Sequence, residues 1–231
     1  MHISRKSFVA SAAMGVLAAP ALAETETPNP PSALHFHVLE PHEFDRARML
    51  QTLSAPHRNK QVFQSVTPLL VAGVPSIYLH MQNSMNAFEF SLGQGPGSLA
   101  TLAILTGGSV AYALSDAMWT KYHLGAALGM APTNVYYTAR SLRRTASPDD
   151  PDGIYQDWSA QAVMHRGGSF MVCHNALTAV AGLAASKNGG EPAAVLADFK
   201  GHMLPGFQIV PPGVAATQLA LEHGWSLYPV I

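Results

Sequence analysis

A strand-length apolar run that passes directly into a helical repeat places the strongest restriction on the fold of this chain. Gly167 and Gly168 punctuate the start of Ser169-Phe170-Met171-Val172-Cys173, after which Leu177, Val180, Ala181 and Ala184 recur at helical spacing. The same strand-to-helix grammar returns at Leu204 to Tyr228, where a strand, a helix, a glycine stop at Gly224 and a second strand follow one another. Strands that alternate with helices imply an α/β domain with a parallel sheet. In such sheets ligands gather outside the carboxyl ends of the strands, where a helix N-terminus carries partial positive charge. Cys173, the only cysteine of the chain, falls at such an end. It is the candidate nucleophile, because the thiolate is the reactive form and a helix N-terminus favours it. An inert core thiol is the competing reading, since free cysteine is among the most buried residue types.

Composition narrows the function classes. Of 231 residues, 48% are hydrophobic and 12% charged, enough for one well-filled core. Thirteen Lys and Arg against fourteen Asp and Glu leave a formal charge of -1, so no global field draws the chain to nucleic acid or anionic lipid. A lone cysteine forms no intrachain disulfide.

The first 23 residues read as an export signal. Arg5 and Lys6 precede an apolar stretch from Phe8 to Leu17, and Ala21-Leu22-Ala23 has the small-x-small form of a cleavage site. Ser4-Arg5-Lys6-Ser7-Phe8-Val9 is similar to a twin-arginine signal with lysine in place of the second arginine, which leaves the general secretory route open. Cleavage after Ala23 and a periplasmic location are expected. A membrane anchor is not, because the stretch falls short of the roughly 20 residues that span a bilayer.

A proline-rich linker, with Pro28, Pro30 and Pro31, and a helical extension are expected over residues 24–72. Pro41 opens one helix there and a second is predicted over 57–68. His35, His37, His42 and His57 lack the repeated spacing of a metal site and read as surface residues. The α/β domain is then predicted over 73–231, interrupted by a turn-rich insertion at about 131–158. Within the insertion Asp150, Asp152 and Gly153 match part of a calcium loop, but Pro148 and Ser159 occupy its end positions and the loop fails.

In the first half of that domain, Ser76 to Met81 reads as a strand feeding a helix on which Met81, Met85, Phe88 and Leu92 form a core stripe. His80, Asn83 and Asn86 then fall at the sheet rim as candidate binding residues for an anion or a small polar substrate. Helix capping by Asn83 or Ser84 is the bland alternative. Gly93-Gln94-Gly95-Pro96-Gly97 follows a helix and precedes the strand Leu99 to Leu105, the reverse of a dinucleotide fingerprint, and reads as a turn. Asp116 is expected to cap a rim helix and joins His80, Asn83, Asn86 and His174 as a candidate binding residue. The apolar run Val110 to Leu114, with Trp119 and Tyr122, exceeds what one rim helix needs and is expected to form an interface between copies.

Phe170-Met171-Val172-Cys173-His174-Asn175-Ala176-Leu177, Leu204-Pro205-Gly206-Phe207-Gln208-Ile209-Val210-Pro211-Pro212-Gly213-Val214 and the closing Gln218 to Tyr228 together resemble the DsrE/DsrF-like sulfur-relay family. The resemblance spans roughly 73–231, omitting the insertion, and is densest at the C-terminal end. It implies a flavodoxin-like three-layer sandwich that assembles into trimers or hexamers. It also implies that Cys173 carries a persulfide, with a sulfur donor or acceptor protein or a small sulfur species as partner. No resident cofactor or metal is expected on this reading. His174 and His80 are the nearest candidates for a proton or a hydrogen-bond donor, with His80 the better placed of the two. The alternative is a non-catalytic binding protein for a small anion, a metal or a haem-type cofactor held by His80, Met81, Cys173 or His174.

Overall fold

The computed structural model describes residues 36–230. The export signal and the proline linker expected over residues 1–32 lie outside that range, as does His35. The described chain runs α1 (Arg46–Leu53), β1 (Asn59–Ser65), a short hairpin (Leu70–Val71 with Val74–Pro75) and α2 (Ser76–Asn86), which a π-helical turn (Ala87–Ser91) extends. Then come β2 (Leu99–Leu105), a 3-10 turn (Gly107–Ala113), α3 (Asp116–Lys121), α4 (Leu124–Leu128) and a second 3-10 turn (Ile154–Gln156). The remainder is α5 (Ala160–His165), β3 (Ser169–Cys173), α6 (His174–Asn188), α7 (Pro192–Gly201), β4 (Phe207–Val210), α8 (Gly213–Glu222) and β5 (Ser226–Val230).

The five strands form one sheet in the order β4-β3-β2-β1-β5, every neighbouring pair parallel. Strand alternation sends side chains to two different cores. Phe63, Ala103, Leu105, Phe170 and Val172 meet α2, α6 and α7 on one face, where Tyr78, Leu177 and Phe199 are buried. Val62, Leu102, Ile104, Met171 and Val210 meet α1 and α8 on the other, with Met49, Leu53 and Ala220. Helices therefore cover both faces of a parallel sheet, which is why β2 and β3 read as unbroken apolar runs. Among the described residues no helix is long and apolar enough to cross a membrane.

Several expectations are corrected. Residues 57–68 do not form a helix: they hold β1, which pairs with both β2 and β5. The sheet thus begins at Asn59, inside the stretch expected to be a helical extension. Ser76 to Met81 is not a strand but the opening of α2, where Ser76, Ile77, Tyr78 and Met81 are all buried. The core stripe on α2 reaches Met81 and Met85, yet Leu92 is 59% exposed because the π-helical turn adds a residue and rotates it off the face. Val110 to Leu114 and Trp119 are fully enclosed within the chain and Tyr122 nearly so, so the surface expected to join copies is interior. Asp116 does not cap α3. Ser115 holds the N-cap position, and Asp116 Oδ1 instead accepts the Asn134 N–H at 2.7 Å, fastening the following loop.

Candidate functional site

Cys173 ends β3 and is itself the N-cap of α6, with φ -64° and ψ 118°. Its sulfur accepts the Ala176 N–H at 3.4 Å, so the side chain satisfies one of the amides that a helix start leaves free. The strand brings it opposite Val210 on β4. From these neighbouring strands the chain leaves to opposite faces: β3 feeds α6 on the α2 side, and β4 feeds α8 on the α1 side. The divergence opens the sheet rim between them, the position at which ligands bind in open parallel sheets. Gly213 makes the approach of α8 possible. A Cβ there would stand 2.3 Å from Thr106 Cγ2 and 3.2 Å from Cys173 Cβ. The starts of two helices and the ends of three strands therefore converge on one thiol.

The frame around it is stiff. Thr106 donates from its backbone N–H and from its hydroxyl to the Ser65 carbonyl, at 2.8 and 2.9 Å, which locks the carboxyl ends of β1 and β2 together. Cys173 is 6% exposed, so only an edge of the side chain meets solvent.

His174 is the first residue of α6 and is 1% exposed. Neither ring nitrogen has a hydrogen-bond partner among the described residues. Burial pushes its pKa down, and the positive charge of Lys200 and the neighbouring His37 push it the same way, against weaker opposing pulls from Glu43 and the adjacent Asn175 side chain, which stays outside hydrogen-bond geometry with the ring. The imidazole of His37 lies edge-on to it, with ring centroids 6.4 Å apart. Glu43 holds His37 through Nε2 at 2.7 to 2.8 Å. The carboxyl of Glu43 lies below the usual range because it accepts the Glu40 N–H and because His37 stands beside it.

The other candidate residues are not gathered here. His80 lies on α2 against Tyr228 of β5, with ring centroids 5.0 Å apart. Strand β5 is three positions from β3, about 14 Å at the usual strand spacing. Asn83 is exposed on α2, and Asn86 belongs to a hydrogen-bonded cluster around Arg166. Asp116 serves the loop at Asn134. The proposed cofactor ligands separate too, since Met81 is fully enclosed beneath α2 while His80 packs on Tyr228. Sequence reasoning missed the Arg166 cluster, whose members are spread from residue 82 to residue 166 without a local motif.

What the Cys173 arrangement can do is nucleophilic sulfur chemistry. A backbone N–H from the first turn of α6 already points at the sulfur. No family model, curated protein or solved structure matches the chain.

Proposed function

We propose that this chain is an exported sulfur-handling protein in which Cys173 accepts a sulfane sulfur and passes it on. The observation that carries the reading is the capping of α6 by the sulfur itself, at the rim where the connections of β3 and β4 diverge. The resemblance of residues 169–177 and 204–228 to the DsrE/DsrF-like family supports it, and with it a flavodoxin-like arrangement. In the first step the Cys173 thiolate attacks the terminal sulfur of a donor persulfide. The new S–S bond forms as the donor S–S bond breaks, and the donor thiolate leaves with the electron pair. The acceptor thiolate then attacks the terminal sulfur on Cys173, which departs as a thiolate, so the two transfers balance without an external oxidant. Export to the periplasm, and assembly into a trimer or hexamer, belong to the same proposal.

The test is the intact mass of the mature protein after incubation with polysulfide. A gain of one sulfur atom that dithiothreitol removes, and that Cys173→Ser lacks, supports the proposal. An unchanged mass overturns it. An inert core thiol is the competing reading, and the observation in its favour is the 6% exposure of Cys173.

A further inference from the structure

Away from Cys173, a cavity of about 200 Å³ lies between the hairpin and the loop segments around residues 135–140 and 156–159. At about 30 Å³ per water it has room for about seven waters, the scale of a small organic ligand. Val74, Pro75, Tyr136 and Trp158 give it apolar walls. Two charged residues of opposite sign, Arg140 and Asp157, line the same space.

Neither charge has an ionic partner among the described residues. Arg140 Nη2 donates to the carbonyls of Pro151 at 2.6 Å and Gln156 at 3.3 Å, which fixes the guanidinium plane. Its Nη1 and Nε make no hydrogen bond among the described residues. Asp157 is 3% exposed. Its Oδ2 accepts the Ser141 N–H at 2.7 Å and its Oδ1 the Ser159 N–H at 3.1 Å. A carboxylate accepts about four hydrogen bonds, so capacity remains on both oxygens. A buried carboxylate is ordinarily paired with a cation, and here no ion pair joins it to the guanidinium of Arg140, which lines the same cavity.

We infer that this cavity binds a small zwitterion, an α-amino acid with an apolar side chain, its carboxylate on Arg140 and its ammonium group on Asp157. A simple carboxylate would use Arg140 but would bring a second negative charge beside Asp157. A simple amine would satisfy Asp157 and meet the guanidinium. Only a ligand that carries both charges answers both groups, and the Trp158 and Pro75 wall takes an aliphatic side chain.

L-leucine is the probe, titrated into the full chain by calorimetry with tryptophan fluorescence read in parallel. Trp119 and Trp225 are buried, so a fluorescence change reports the half-buried Trp158 on the cavity wall. Saturable binding is expected, with isocaproate and isoamylamine each weaker by about tenfold or more, the scale of one lost charge-assisted hydrogen bond. Arg140→Gln should weaken leucine by a similar factor and leave isoamylamine unaffected or tighter. Asp157→Asn should also weaken leucine, and leave isocaproate unaffected or tighter. Because Asp157 also holds two backbone amides, the exposed Arg140 variant and the two analogues decide the matter if Asp157→Asn does not fold. Absence of saturable leucine binding, or leucine no tighter than isocaproate, or an Arg140→Gln protein that binds leucine as the parent does, overturns the inference.

Discussion

Two buried polar groups sit at opposite ends of the same sheet and are treated in opposite ways. Near the amino ends of the strands, Arg166 donates through Nη1 to Gln82 Oε1 at 2.5 Å and Asn86 Oδ1 at 2.6 Å, and through Nη2 to Glu89 Oε2 at 2.9 Å. Gln82 and Asn86 pass their own amide protons to the carbonyls of Ile154, Asp157 and Tyr155. The Tyr155 ring closes the cluster 4.9 Å from the guanidinium. At the carboxyl ends, His174 is as deeply buried, but neither nitrogen has a partner among the described residues. A fully connected network rigidifies a fold, whereas an unsatisfied buried group is a cost the fold tolerates for another reason. The first end reads as scaffold: it ties the insertion to α2 and to the end of α5. The second is where the thiol stands.

The largest test of the contrast is Arg166→Met. Removing the guanidinium leaves Glu89 buried and two amide oxygens unpaired, so a loss of about 3 to 5 kcal/mol in unfolding free energy is expected from urea titration. A loss below about 1 kcal/mol would show that the cluster is not scaffold. Gly213→Ala comes next. The new methyl meets Thr106 and the Cys173 side chain, at an expected cost of about 1 to 3 kcal/mol, together with slower persulfide loading because α8 is pushed off the rim.

His174→Leu should be the mildest in stability. An apolar side chain replaces a buried imidazole that makes no hydrogen bond among the described residues, so neutral-pH stability should change by less than about 1 kcal/mol in either direction. Its signature is in pH. The folded pKa of His174 lies below the ordinary value of 6.5, so below that pH the unfolded chain binds the proton first and stability falls as acid is added. The parent protein should lose stability as the pH falls through 6.5 and below it, and His174→Leu should lose less of it. Equal slopes in paired urea titrations would place the unsatisfied charge-sensitive group elsewhere.

How much of this was legible in the sequence depended on whether burial left a periodic trace. The passage from β3 through Cys173 into α6 could be read, because glycines punctuate a five-residue apolar run and the helix then buries Leu177, Val180, Ala181 and Ala184. Pro192 at the start of α7, and Gly224 with φ 81° before β5, marked their boundaries for the same local reasons. The first turns of α2 were misread because Ile77 and Tyr78 are strand formers and nearly every side chain there is buried, which erases the helical period. The opposite error hid β1. Only Val62 and Phe63 of Asn59 to Ser65 are large and apolar, one for each core, and the glutamines around them imitate a solvated helix.

The candidate site shows the same division. Cys173 was found from position alone, while His80, Asn83 and Asn86 went to the sheet rim only because α2 was read as a strand there. His174 was ranked behind His80, but it opens α6 beside Cys173, and its ring packs against His37, a long-range contact that no local pattern encodes. Arg140 and Asp157 lie in irregular chain, where periodicity carries no information.

The most direct measurement of the central claim is the mass of native protein challenged with polysulfide and then with an acceptor thiol, run beside Cys173→Ser. In that variant the hydroxyl takes over the Ala176 N–H, and the fold should be retained to within about 1 kcal/mol. The account predicts one added sulfur atom on the parent, its transfer to the acceptor, and neither event on the folded serine variant. A parent chain that gains no sulfur until it is unfolded would contradict it and leave Cys173 as a structural cap.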